Sequence, residues 1–204
     1  MIQIKNKFLT VQINPLGAEV RSVKNVDNNH EYMWSGDSSV WSGISPVLFP
    51  TVGEYIDGKI KHDGRDYPMI RHGFARHSDF EISASTADSV TLSIATTVDN
   101  YPFALAFNLT YSLDGNKLIT TFDVVNLGDK DAPCGFGAHP AFACPFDSSH
   151  HLEDYEITFD GEEQLNSHPI SPEVFYLDRV DAVKLSEIEI NNHTFDNDAL
   201  VYSG

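Results

Sequence analysis

Polar and apolar residues alternate over several stretches of this chain. Leu9, Val11 and Ile13 alternate with Thr10, Gln12 and Asn14, which puts the apolar set on one face of an extended strand. Val90, Leu92 and Ile94 repeat the pattern, and Phe103, Leu105, Phe107, Leu109 and Tyr111 carry it through a longer strand. Tyr155, Ile157 and Phe159, set against Glu156, Thr158 and Asp160, give another. Asp-Gly pairs at 57–58, 63–64, 114–115 and 160–161 lie between such runs and supply the positive φ that tight hairpin turns require. No long stretch holds a helical period. The pattern predicts an all-β chain of mainly antiparallel strands, and 204 residues fit a single domain over 1–204.

Residues 45–59, SPVLFPTVGEYIDGK, depart from the alternation and carry Pro46, Pro50 and Gly53. Proline removes ladder donors, so this segment is expected at an edge, a crossover or a cleft wall rather than in a central strand. Residues 68–80, PMIRHGFARHSDF, then gather Arg71, His72, Arg76 and His77 into one short span. The Ser-, Asp- and His-rich loop at 147–154 reads as a surface excursion rather than a linker.

Charge narrows the partners. Thirteen basic against thirty acidic residues give a net charge of −17, which repels phosphate backbones and anionic headgroups, so neither nucleic acid nor a membrane surface is expected as a partner. The start, Met1 to Lys5, lacks the apolar core of a signal peptide, and no later run approaches the roughly 20 apolar residues needed to span a bilayer. A cytoplasmic protein is the simplest reading. Cys134 and Cys144 are too few for a disulfide framework and lack zinc-site spacing, so both are expected as buried free thiols.

The candidate chemistry is acid and base work on a neutral polar ligand. None of the nine histidines forms the close His-x-His pair of a jelly-roll metal site, no Gly-x-Ser-x-Gly elbow is present, and no glycine-rich phosphate loop occurs. His150 and His151 are adjacent, so on an extended strand they would face opposite ways, as a solvated loop pair would. Two imidazoles facing one cleft can donate and accept protons near neutral pH, which suits the hydroxyls and ring oxygen of a sugar. Trp34, Trp41, Phe74 and Phe142 are candidates for packing against a sugar's C–H face.

Four motifs in order, SPVLFPTVG, RHGFAR, GFGAHPAF and FDNDALVY, resemble the aldose 1-epimerase (galactose mutarotase) superfamily and, within it, the LacX-like branch. The opening NKFLTVQINPLGAEVRSVKN and the following EYMWSGDSSVW extend the resemblance over essentially the whole chain. It implies a β-supersandwich of mainly antiparallel strands that binds a sugar and interconverts its α and β anomers without a metal or organic cofactor. It also implies residue roles. His139 is the candidate general acid and His72 the second histidine, hydrogen-bonding the sugar. Asp198 grips sugar hydroxyls, with Asp196 the alternative at that position, and Arg76, with Arg71 beside it, holds ligand oxygens.

Two departures accompany the resemblance. Glu54 stands where many mutarotases place an arginine. The family's general base is a glutamate several strands beyond the position of Asp198, and no glutamate follows Asp198 here. The chain therefore resembles the N-terminal two-thirds of a family member, with a fold incomplete at its C-terminus and weak activity as the expectation. The expected partner is a hexose, phosphorylated or not, and the oligomeric state is open. Two other readings stand beside this one: a carbohydrate-binding or sugar-sensing module without catalysis, and a β-sandwich that binds no ligand.

Overall fold

Alternating aliphatic residues build the first sheet. In the computed structural model, which describes residues 1–170 and 180–204, β1 (Ile2–Lys5), β2 (Leu9–Asn14) and β3 (Glu19–Asn25) form an antiparallel meander. Leu9, Val11 and Ile13 all point into the core, as their period of two requires. A two-residue strand, β4 (Val47–Leu48), follows a long loop. The hairpin of β5 (Lys59–His62) and β6 (Arg65–Pro68) is turned by Asp63 and Gly64, both in the left-handed region with φ of 47° and 76°.

The second large sheet is also antiparallel, in the order β10-β9-β8-β7, where β7 is Glu81–Ser85, β8 Ser89–Ala95, β9 Leu105–Asp114 and β10 Lys117–Asn126. Its register is set by one buried face. Val90 pairs with Tyr111, Leu92 with Leu109 and Ile94 with Phe107, so a one-residue slip would turn the whole apolar set to the other face. On the opposite face Thr91 and Thr110 hydrogen-bond at 2.9 Å. Phe107, fully buried, stacks on Phe49 with 4.3 Å between ring centroids, and Phe80 meets it edge-on. Burying a ring of this size stabilises the fold by about 1.5–3 kcal/mol. The buried Tyr111 hydroxyl donates to the Ala18 carbonyl at 2.7 Å and ties β9 to the β2–β3 turn. The short β11 (Gly137–Ala138) pairs with β4.

The described residues divide into two compact units, Met1–Ala143 and Cys144–Gly204. The second holds β12 (Glu156–Ser167), β13 (Asp181–Glu189) and β14 (Tyr202–Ser203), with β12 central and both neighbours antiparallel to it.

Several expectations change at this level. Phe103 lies before β9 rather than in it, half-buried against the core. Asp160 and Gly161 do not turn a hairpin; they sit within β12, where the register against β13 shifts between Thr158 and Glu163 and Gly161 takes a φ of 109°. The extra residues of a bulge can use a glycine's positive φ as a turn does. The alternation around Ile157 is present, but Ile157 is 40% exposed. Cys144 is exposed and Cys134 only half-buried, so the pair are free thiols but not buried ones. Among the described residues no helix is long and apolar enough to cross a membrane.

Candidate active site

The proline-rich segment, expected at an edge, a crossover or a cleft wall, runs along a polar cleft. Its backbone carbonyls hold both histidines of interest. His139, directly after β11, donates its N–H to the Pro46 carbonyl at 3.1 Å, and His72 donates its N–H to the Gly53 carbonyl at 2.7 Å. Between these points the Leu48↔Gly137 and Val47↔Ala138 pairs hold β4 to β11, and the Ala75 N–H donates to the Phe49 carbonyl at 3.1 Å. Prolines 46 and 50 lack N–H groups but leave their carbonyls free to accept, and Pro50 receives the Gly135 N–H at 2.8 Å. The segment is itself fixed from β3. The Glu19 carboxylate accepts the Ile44 and Ser45 N–H groups at 2.8 and 2.9 Å, and Arg21 at 2.8 Å.

The cleft so formed has a volume of about 250 Å³. Pro46 and Leu48 supply its apolar part, Trp41 an aromatic face, and His72, His139, Arg71 and Arg76 the polar groups. The two imidazole centroids are 6.2 Å apart, and the Trp41 ring lies 5.2 Å from that of His139. His139 and Arg71 are exposed, while His72 and Arg76 are half-buried. The Arg76 guanidinium is held by the Arg71 carbonyl at 3.2 Å and by the His77 ring at 3.2 Å. Among the described residues neither Arg71 nor Arg76 forms an ion pair. Partial burial, followed by the neighbouring Arg71 and Arg76 charges and His139, pushes the His72 imidazole below its ordinary pKa, against the opposing pull of Glu54.

Four of the five residues singled out in the sequence thus line one cleft. The fifth, Asp198, belongs to the second unit, exposed, with a left-handed φ of 81° and its N–H donating to the Phe195 carbonyl at 3.0 Å. The neighbouring Asp196 is engaged differently, its carboxylate 3.0 Å from His193 Nδ1. Of the aromatic candidates only Trp41 lines the cleft. Trp34 donates its indole N–H to the Trp41 carbonyl at 2.9 Å, Phe74 packs on the core, and Phe142 lines a separate cavity of about 230 Å³. That cavity, walled by Val20, Met33, Leu118 and Phe122, is almost wholly apolar and offers little to a sugar hydroxyl. His150 and His151 lie in an exposed loop, with His150 Nδ1 bonded to Asp147. Among the described residues no three His, Cys, Asp or Glu side chains gather as a metal site would require. Sequence reasoning named Gly53 only as part of the proline-rich segment and missed that its amide donates to the His72 ring.

Comparison with known proteins follows the same lines. The family described as aldose 1-epimerase matches residues 1–199. Chromosomal protein LacX of Lactococcus lactis subsp. lactis is 34% identical over 212 aligned residues, which cover 98% of this chain and 71% of LacX. A galactose mutarotase related enzyme from Lactobacillus acidophilus superposes with a TM-score of 0.92 at 32% identity, over 98% of this chain and 68% of that one. A galactose mutarotase-like protein from Lactobacillus casei gives 0.80 at 30% identity, over 91% and 67%.

Proposed function

Because the chain belongs to the aldose 1-epimerase family and has a galactose mutarotase-like fold, we propose that its polar cleft binds a hexose and that His139 moves the proton that opens and closes the sugar ring. The observation that carries this reading is the meeting of His72 and His139, from distant parts of the sequence, across a cleft with two arginines and one aromatic face.

Mutarotation is a rearrangement of protons. A base takes the proton of the anomeric hydroxyl as the C1–O1 bond becomes a carbonyl; the C1–O5 bond breaks and O5 receives a proton from an acid. Rotation about C1–C2 and the reverse transfers close the ring as the other anomer. His139 is the acid toward O5 and takes the proton back on closure, work suited to an imidazole near neutral pH. His72 holds and orients the sugar, and Trp41 covers a C–H face of it. Arg71 and Arg76, free of carboxylate partners among the described residues, hold ligand oxygens with planar donor forks and suit a hexose that carries a phosphate. The resemblance assigns the base to a glutamate beyond Asp198, so the cleft described here supplies the acid and the grip. The role of Asp198 rests on the resemblance alone.

Two-dimensional exchange NMR of the α and β anomers of glucose and galactose, and of their 6-phosphates, tests this reading. Without the glutamate that the resemblance assigns as base, the chain is expected to speed exchange only weakly above the buffer rate for at least one sugar, and His139→Gln to return it to that rate. Saturable binding with no acceleration would favour the binding-module reading, and absence of both would remove the sugar from the account.

A further inference from the structure

The geometry points to the backbone N–H of Gly53 as the group that fixes His72 in the neutral tautomer with its proton on Nε2, so that this ring offers the cleft a hydrogen-bond donor and not a base. Gly53 N–H donates to His72 Nδ1 at 3.1 Å. A ring nitrogen that accepts a hydrogen bond carries no proton, and in a neutral imidazole the other nitrogen must then carry it. The contact is reciprocal, because the His72 N–H donates to the Gly53 carbonyl at 2.7 Å. Both bonds join the same two residues, so turning the ring over would leave the Gly53 amide without its acceptor. Among the described residues Nε2 has no protein partner, which leaves its proton for a ligand.

Local backbone holds this arrangement. His72 has a φ of 68°, in the left-handed region that non-glycine residues seldom enter, and that unusual turn presents Nδ1 to residue 53. Gly53 has a φ of 85°, and a Cβ on it would meet nothing within 4 Å, so its glycine is required by conformation and not by space. The charged groups around the ring favour the same state. Arg71 and Arg76 on its own segment, and His139 from beyond β11, disfavour an imidazolium, while Glu54 beside Gly53 alone favours one. On the reading of the cleft as a sugar site, His72 donates to a sugar oxygen while proton transfer falls to His139. The two histidines are then not interchangeable.

Long-range proton–nitrogen correlation spectra of the 1–204 chain with ¹⁵N-labelled histidine test this without any sugar, so failure of the mutarotase reading leaves the result intact. The His72 signals are assigned by their loss in His72→Gln. In its neutral form His72 is expected to show a protonated Nε2 and an unprotonated Nδ1, and to keep that form to a lower pH than an ordinary imidazole does. In Gly53→Ala, whose strained φ moves the amide away, the signals shift toward a tautomer mixture and the titration midpoint rises. A proton on Nδ1, a doubly protonated ring at pH 7, or a Gly53→Ala spectrum identical to that of the unaltered chain would overturn the proposal. The spectrum of the unaltered chain decides it even where the variant does not fold.

Discussion

Gly73 lies directly against the backbone of Phe49: a Cβ built on it would stand 2.2 Å from that residue's carbonyl oxygen and 2.5 Å from its carbonyl carbon. Its φ of 74° is also left-handed. Neither obstacle is a side chain that can swing away, and Phe49 is fully buried against Phe107. Gly73→Ala is therefore expected to cost about 3 kcal/mol or more in stability. Urea denaturation reads this directly, and an unchanged midpoint would contradict the packing described for the proline-rich segment.

Glu19 gives the anchor of that segment a pH dependence. Burial raises its pKa, but hydrogen bonds from Arg21, Ile44 and Ser45, with the Arg21 charge, outweigh burial and hold the folded value below 4.5. Above the ordinary carboxylate value the group is charged in both states and its stabilisation is complete. As the pH falls through that value the unfolded chain takes the proton first, and stability is lost until the folded carboxyl protonates as well. Glu19→Gln should be less stable than the unaltered chain by about 1–3 kcal/mol at pH 7. The difference should shrink between about pH 5 and pH 3. Denaturation across that range checks it, and a constant difference would count against the anchor.

On the proposed reading of the cleft, a substitution at Arg76 tests whether the ligand is phosphorylated or neutral. A guanidinium bond to a phosphate oxygen is charge-assisted and about twice as strong as a neutral one. Arg76→Ala is expected to weaken binding of a hexose 6-phosphate by about 10- to 100-fold and of the neutral hexose by only a few-fold. Isothermal titration with the two ligands measures both. Equal losses would show that Arg76 holds hydroxyls and not an anion.

The strands whose buried face was legible alternate strictly, which β3 does not despite its buried Val20 and Val23, and which β1 does over only four residues. Leu9, Val11, Ile13, Val90, Leu92 and the run from Leu105 to Tyr111 alternate in sequence and are buried as predicted. Ile157 alternates as cleanly and stays exposed, because period two reports a strand and not what covers its face. Asp160-Gly161 read as a hairpin for a related reason: a bulge glycine and a turn glycine have the same local signature, and only the distant partner strand distinguishes them. In the cleft, the prolines between 45 and 59 excluded a central strand, since a missing N–H is local information, but left edge, crossover and cleft wall open. The choice of Trp41 over Trp34, Phe74 and Phe142 was not visible, because all four are aromatic residues near the same motifs and only tertiary packing sorts them. Nor was the Gly53 contact, which joins residues 19 apart through a left-handed backbone at His72.

The most direct test of the account is a sugar titration of the ¹⁵N-histidine chain, with hexoses and their 6-phosphates, that follows every imidazole. The cleft assignment predicts saturable shifts at His139 and His72 together, while His30, which follows β3 and is not among the cleft's lining residues, stays unmoved. Saturable binding that shifts other histidines and leaves His72 and His139 in place would contradict it.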